Sequence, residues 1–78
     1  MTPMEQTLRN IVSKIAETSA EFPPTANLRE DLSVDSVRAL ELVFEVEKEF
    51  AIKVPEGRYG EVRTFQDLLK LVGSIKAS

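Results

Sequence analysis

Between Ser36 and Phe50 the apolar residues fall on two arcs of a helix, and that doubling is the strongest constraint on how this chain folds. At roughly 100° per residue, Ala39, Leu42, Val43, Val46 and Phe50 gather on one arc, opposite Arg38, Glu41, Glu45, Lys48 and Glu49. Val37, Leu40 and Phe44 form a second apolar group bordering the charges. The first arc is core. The second is either a docking patch rimmed by charge or a set of side chains packed beneath neighbouring loops, and the residues alone leave both readings open.

Helical spacing recurs on either side of this segment. Met4, Leu8, Ile11, Val12, Ile15 and Ala16 define a first helix from Met4 to about Ser19, with Glu5, Arg9, Lys14 and Glu17 on its other side. Thr2-Pro3 starts it and Phe22-Pro23-Pro24 ends it, because two prolines cannot continue the hydrogen-bond ladder. Phe65, Leu68, Leu69, Val72 and Ile75 define a last helix ending near Gly73 to Lys76, with Thr64-Phe65-Gln66-Asp67 as a capping arrangement that has Asp where Glu is usual. The expected class is all-α: a small bundle of three main helices, a short helix or turn before the last, and a long loop after the first.

That loop, residues 20–34, lacks periodicity, yet Phe22, Leu28, Leu32 and Val34 can pin it to the core. Asn27 or Thr25 can cap a turn within it. Ala51 to Val54 reads as an extended connector with Ile52 and Val54 inward. Pro55 opens a weak helical turn through Glu61, since Gly57 and Gly60 each cost about 1 kcal/mol relative to Ala. Seventy-eight residues without a linker or repeat give one expected domain, residues 1–78.

Composition narrows the chemistry. With no His, the commonest general base and the usual partner of a nucleophilic serine are both missing. No catalytic residue and no metal ligand set is expected, and the chain is read as a non-enzyme. With no Cys it has neither disulfides nor a thiol of its own. A net charge of −3 argues against nucleic acid. No apolar run approaches the ~20 residues that cross a bilayer, so the expectations are no membrane insertion, a cytoplasmic location and a monomer. Residues 35–49 hold five acids against two bases, which suits a basic protein partner.

Asp35-Ser36 opens the second helix, and both residues are good N-terminal cappers. A simple cap is the ordinary meaning of such a pair. An anion attached at Ser36 would also meet the free N–H groups and the positive end of the helix dipole, as a phosphoester requires.

The order of elements, together with Glu30-Asp31-Leu32-Ser33-Val34-Asp35-Ser36-Val37, Leu40-Glu41-Leu42-Val43, Glu47-Lys48-Glu49-Phe50, Ile52-Lys53-Val54-Pro55 and Thr64-Phe65-Gln66-Asp67-Leu68, resembles the acyl carrier protein family. The resemblance covers nearly the whole chain. It implies that Ser36 receives 4′-phosphopantetheine from coenzyme A through a phosphopantetheinyl transferase, that Asp35 helps bind the metal and the transferase during loading, and that the arm's thiol carries acyl groups as thioesters for fatty acid, lipid or polyketide enzymes. It further implies docking of acyl-loading, condensing and acyl-transfer enzymes on the second helix, for which Val37, Arg38, Glu41, Phe44, Glu45 and Lys48 are the candidates. Leu42, Val46 and Leu68 are candidates for lining an acyl cavity.

Several positions depart from the family pattern. Val37 stands where Leu is usual, Ser33 where Gly is usual, and Arg38 and Lys48 where acids are common; Gly57, Arg58 and Gly60 replace an acidic cluster. These departures suggest a specialised member. Two other readings remain: an aminoacyl or peptidyl carrier with the same attachment chemistry, and an unmodified helical interaction module in which Ser36 is only a cap.

Overall fold

The computed structural model describes residues 2–77. Three α-helices, α1 (Pro3–Ala16), α2 (Ser36–Phe50) and α3 (Phe65–Ala77), with a short 3₁₀ helix at Glu56–Glu61, make an all-α bundle with a long loop after α1. Leu8 and Val12 of α1, Leu42 and Val46 of α2, and Phe65, Leu68 and Val72 of α3 meet in one buried cluster. The helices hold because each buries an apolar face that would be marginal alone in water.

α1 starts as its sequence indicates: Thr2 Oγ1 accepts from the Glu5 N–H at 3.1 Å, with proline in the first turn. Its end differs from expectation. The chain leaves the helix at Glu17, in the left-handed region at φ 55°, and the Thr18 N–H closes back on the Ser13 carbonyl at 3.0 Å. The helix therefore stops well before Pro23-Pro24, through a C-terminal turn that a non-glycine residue does not announce. α3 runs past Gly73 to Ala77, and a side chain built at Gly73 would reach the Met4 methyl at 3.6 Å, so this glycine lies against α1 and does not terminate α3.

The loop is tightly held. Phe22, Leu28, Leu32 and Val34 are all buried. Asn27 Oδ1 accepts from the N–H groups of Arg29 and Glu30 at 3.0 and 2.8 Å, while Asp31 Oδ2 accepts from the Asn27 N–H at 2.7 Å. The loop also lies along the approach to α3: Leu28 N–H donates to the Arg63 carbonyl, Phe65 N–H to Ala26 and Gln66 N–H to Pro24, at 2.8–3.0 Å, beside an antiparallel bridge between Asn27 and Thr64.

Arg9 overturns one expectation. Assigned by spacing to the solvent side of α1, it is only 5% exposed, and its guanidinium sits 4.8 and 4.9 Å from the ring centres of Phe22 and Phe65.

Ser33 has φ 57°, which accounts physically for a position where the family pattern has glycine. Ser33→Val, placing a β-branched residue in that conformation, should lower stability by about 1–2 kcal/mol in urea unfolding, whereas Ser33→Gly should stay within about 1 kcal/mol of the parent.

The start of α3 is a reciprocal cap. Thr64 Oγ1 accepts from the Asp67 N–H at 3.2 Å, and Asp67 Oδ2 accepts from the N–H groups of Thr64 and Arg63 at 3.1 and 3.2 Å. The hydrogen bonds from Thr64 first, then Arg63, hold the Asp67 carboxyl below its ordinary range. A lowered carboxylate contributes stability that is complete above its unfolded value, near 4, and lost as pH falls through the folded one. Melting between pH 6 and 2.5 should therefore decline more steeply for the parent than for Asp67→Asn; identical profiles would remove this cap from the acid response.

Candidate functional site

Asp35 and Ser36 both suit a helix start, and the structure separates their roles. Asp35 is the N-cap, with extended backbone and Oδ1 accepting from the Arg38 N–H at 2.9 Å. Ser36 is the first helical residue. It is exposed, and among the described residues its hydroxyl has no hydrogen-bond partner. The cap is complete without it.

Ser36 lies on the rim of a cleft of about 620 Å³ that also takes in Leu42, Val46 and Leu68, so the three residues considered for an apolar cavity share one space with it. Four further lining residues were not assigned to the cavity from spacing. Leu28 and Val34 come from the pinned loop, Val54 from the connector and Leu71 from α3. Leu71 is 4% exposed and lies outside the apolar stripe assigned to α3; the available signal was that 68, 71, 72 and 75 are themselves one helical face. The connector is held inward because Glu47 Oε2 accepts from the Val54 N–H at 2.7 Å.

The exposure of α2 removes one of the two readings of its second apolar group, the packing of those side chains beneath neighbouring loops. Val37, Leu40 and Phe44 are 66, 51 and 63% exposed, spaced i, i+3, i+7 along one stripe, and none is covered by a loop. Glu41 and Lys48 are exposed beside them and Glu45 is half-buried. Arg38 behaves differently from its neighbours. Its side chain turns to α1, where Nη2 meets Glu17 Oε2 at 3.0 Å and Nη1 donates to the Ile15 carbonyl at 3.2 Å; the helix pair with Glu41 does not form. This contact clasps the first turn of α2 to the last turn of α1.

Elsewhere, Arg58 and Glu61 form a bidentate pair on the 3₁₀ helix at 3.1 and 3.2 Å, through which the arginine is shifted up and the carboxylate down. Arg58 is half-buried and Glu61 exposed, so solvent screens the pair and it is a minor contributor to stability. Among the described residues no three His, Cys, Asp or Glu side chains converge on a metal position, and no helix is long and apolar enough to cross a membrane.

Chemically, the arrangement is able to act as an acceptor. The Ser36 hydroxyl has no base beside it, since the Asp35 carboxylate is directed to the helix backbone. It faces solvent at the positive end of a 15-residue helix, where an ester phosphate is electrostatically favoured, and it borders a hydrocarbon-lined cleft. These residues fit a phosphate-linked arm attached by another protein.

Comparison with known proteins points to the same chemistry. A family model described as a phosphopantetheine attachment site matches residues 6–72. The acyl carrier protein of Thermosynechococcus vestitus (strain NIES-2133 / IAM M-273 / BP-1) is 25% identical over 71 residues, which cover 91% of this chain and 88% of that relative.

Proposed function

Because the chain belongs to the phosphopantetheine attachment-site family, we propose that it is an acyl carrier protein whose Ser36 bears the 4′-phosphopantetheine arm. The observation that carries this reading is the position of Ser36: an exposed hydroxyl, unused by the helix cap, on the rim of the Leu/Val-lined cleft. In loading, Ser36 Oγ forms the new bond to phosphorus as the phosphoanhydride bond of coenzyme A breaks. The nucleotide portion leaves, and the transferase removes the hydroxyl proton. Asp35 contributes by capping the first turn of α2, which fixes the position from which Ser36 meets the incoming enzyme. Once attached, the arm supplies a thiol, which the chain lacks, for acyl thioesters.

The lining of Leu42, Val46, Val54, Leu68 and Leu71 supports hydrocarbon cargo over an aminoacyl group, whose ammonium would lose its hydration in such surroundings. The chain's part is presentation, and catalysis belongs to its partners in lipid or polyketide synthesis. Val37, Leu40 and Phe44, with Glu41 and Lys48 alongside, form the surface on which those enzymes dock; Arg38 supports that surface through its clasp on Glu17.

Intact mass before and after incubation with a broad-specificity phosphopantetheinyl transferase and coenzyme A tests the reading. The expected result is a gain of one phosphopantetheinyl group. No gain would move the protein to the unmodified interaction modules.

A further inference from the structure

The chain has five arginines, and three of them pair with acids: Arg9 with Glu5, Arg38 with Glu17, and Arg58 with Glu61. The other two, Arg29 and Arg63, are exposed and have neither an ion pair nor a side-chain hydrogen bond among the described residues. Both line the cleft that Ser36 borders. They come from distant parts of the sequence but from adjoining backbone, because the Leu28 N–H donates to the Arg63 carbonyl at 2.9 Å and Asn27 bridges Thr64. Two acids share this rim, and neither neutralises them. Asp35 accepts from the Arg38 backbone, and Glu30 forms no ion pair with either arginine. The fold therefore holds two guanidinium groups without an ion-pair partner among the described residues, on the rim of a cleft whose interior is lined by Leu and Val side chains.

We propose that Arg29 and Arg63 form an anion-holding subsite for the arm on Ser36, a role that rests on the reading of Ser36 given above. An anion bound there is one that the arm itself brings: its phosphodiester, or a carboxylate on its cargo. Arginine suits either, since its planar fork can meet two oxygens at once. The hydrocarbon walls deeper in the cleft exclude an ionised group, so the anion stays on the rim while an apolar segment occupies the interior. The subsite lays the arm back along the cleft between visits to partner enzymes.

The test uses the full chain, labelled with ¹⁵N, in three loaded forms made from coenzyme A, butyryl-coenzyme A and succinyl-coenzyme A, each verified by intact mass. The arginine Nε–Hε resonances and the ³¹P resonance of the Ser36 ester are followed in the parent and in Arg29→Gln/Arg63→Gln, whose melting confirms its fold. If the phosphodiester is the anion, the Arg29 and Arg63 signals move on loading with the bare arm, and the ³¹P line shifts in the double variant. If a carboxylate is the anion, those signals move with the succinyl form and stay in place with the bare and butyryl forms. Loading by mass with both arginine signals unmoved in all three forms overturns the subsite and leaves the carrier reading intact. Absence of any mass gain overturns the carrier reading, and the subsite falls with it.

Discussion

Ser36→Ala is expected to keep its fold and lose every trace of loading. The helix start does not depend on this hydroxyl: Asp35 Oδ1 caps the Arg38 N–H, and the Ser36 side chain is exposed without a partner among the described residues. Alanine is the better helix former at such a position, so the variant should unfold within about 0.5 kcal/mol of the parent. With the transferase and coenzyme A it should gain no mass, because the hydroxyl proposed to accept the arm is gone. Asp35→Ala separates the two roles from the other side. It keeps the Ser36 hydroxyl but removes the cap, and should cost about 1 kcal/mol. Continued loading of Ser36→Ala would end its assignment as the attachment residue.

The second large effect is expected far from the cleft. Arg9→Ala should lower the unfolding free energy by about 3 kcal/mol, a large fraction of the roughly 4–12 kcal/mol available to a chain of this size. Arg9 Nε meets Glu5 Oε2 at 3.1 Å, while Nη1 donates to the Ala20 carbonyl at 3.0 Å and also to the Phe22 carbonyl. Its guanidinium lies against two rings that themselves meet edge-on at 5.0 Å. Truncation strands both carbonyls and removes the stem that fills the space between α1 and the loop. Arg9→Lys retains the charge but lacks the planar fork, and should recover only part of the loss. Glu5→Gln should cost less than about 1 kcal/mol, the glutamate being nearer to solvent. Guanidinium unfolding of the three variants measures the order; an Arg9→Ala protein as stable as the parent would show that the carbonyls find water instead.

The contrast between Arg9 and α2 shows where sequence patterns carry information. The span of α2 was legible because Asp35 at its start and the apolar period through Phe50 agree, two local signals for one element. Thr64 and Asp67 were readable as a cap for the same reason, their partners lying three residues apart. Arg9 was assigned to solvent because a charged residue is normally exposed. What buries it, the carbonyls of Ala20 and Phe22, lies 11 and 13 residues away in a segment without periodicity. Arg38 is the same case over a longer separation: Glu41 is its neighbour along the helix, but Glu17, just past the end of α1, wins. The left-handed end of α1 at Glu17 has no glycine to mark it.

At the candidate site, the residues that belong to one helix were visible and those that enclose the cleft were less so. Leu42, Val46 and Leu68 share apolar faces that spacing reveals. The contributions of Leu28, Val34 and Val54 depend on how the loop and connector are fastened, which is decided by backbone hydrogen bonds between distant segments.

The double fastening of the first turn of α2, by the Asp35 cap and by the Arg38 clasp on α1, fixes the point from which an arm on Ser36 would extend. A tether whose origin wandered would dilute its cargo over the volume swept by both ends. With one end stationary, the effective concentration of the thioester at a docked enzyme is set by the arm's length and stiffness alone, on the order of millimolar for a short flexible link. On the carrier reading proposed above, the rigidity of two residue contacts would become a property of the pathway: each docked enzyme would meet the cargo at a concentration independent of how much carrier is present.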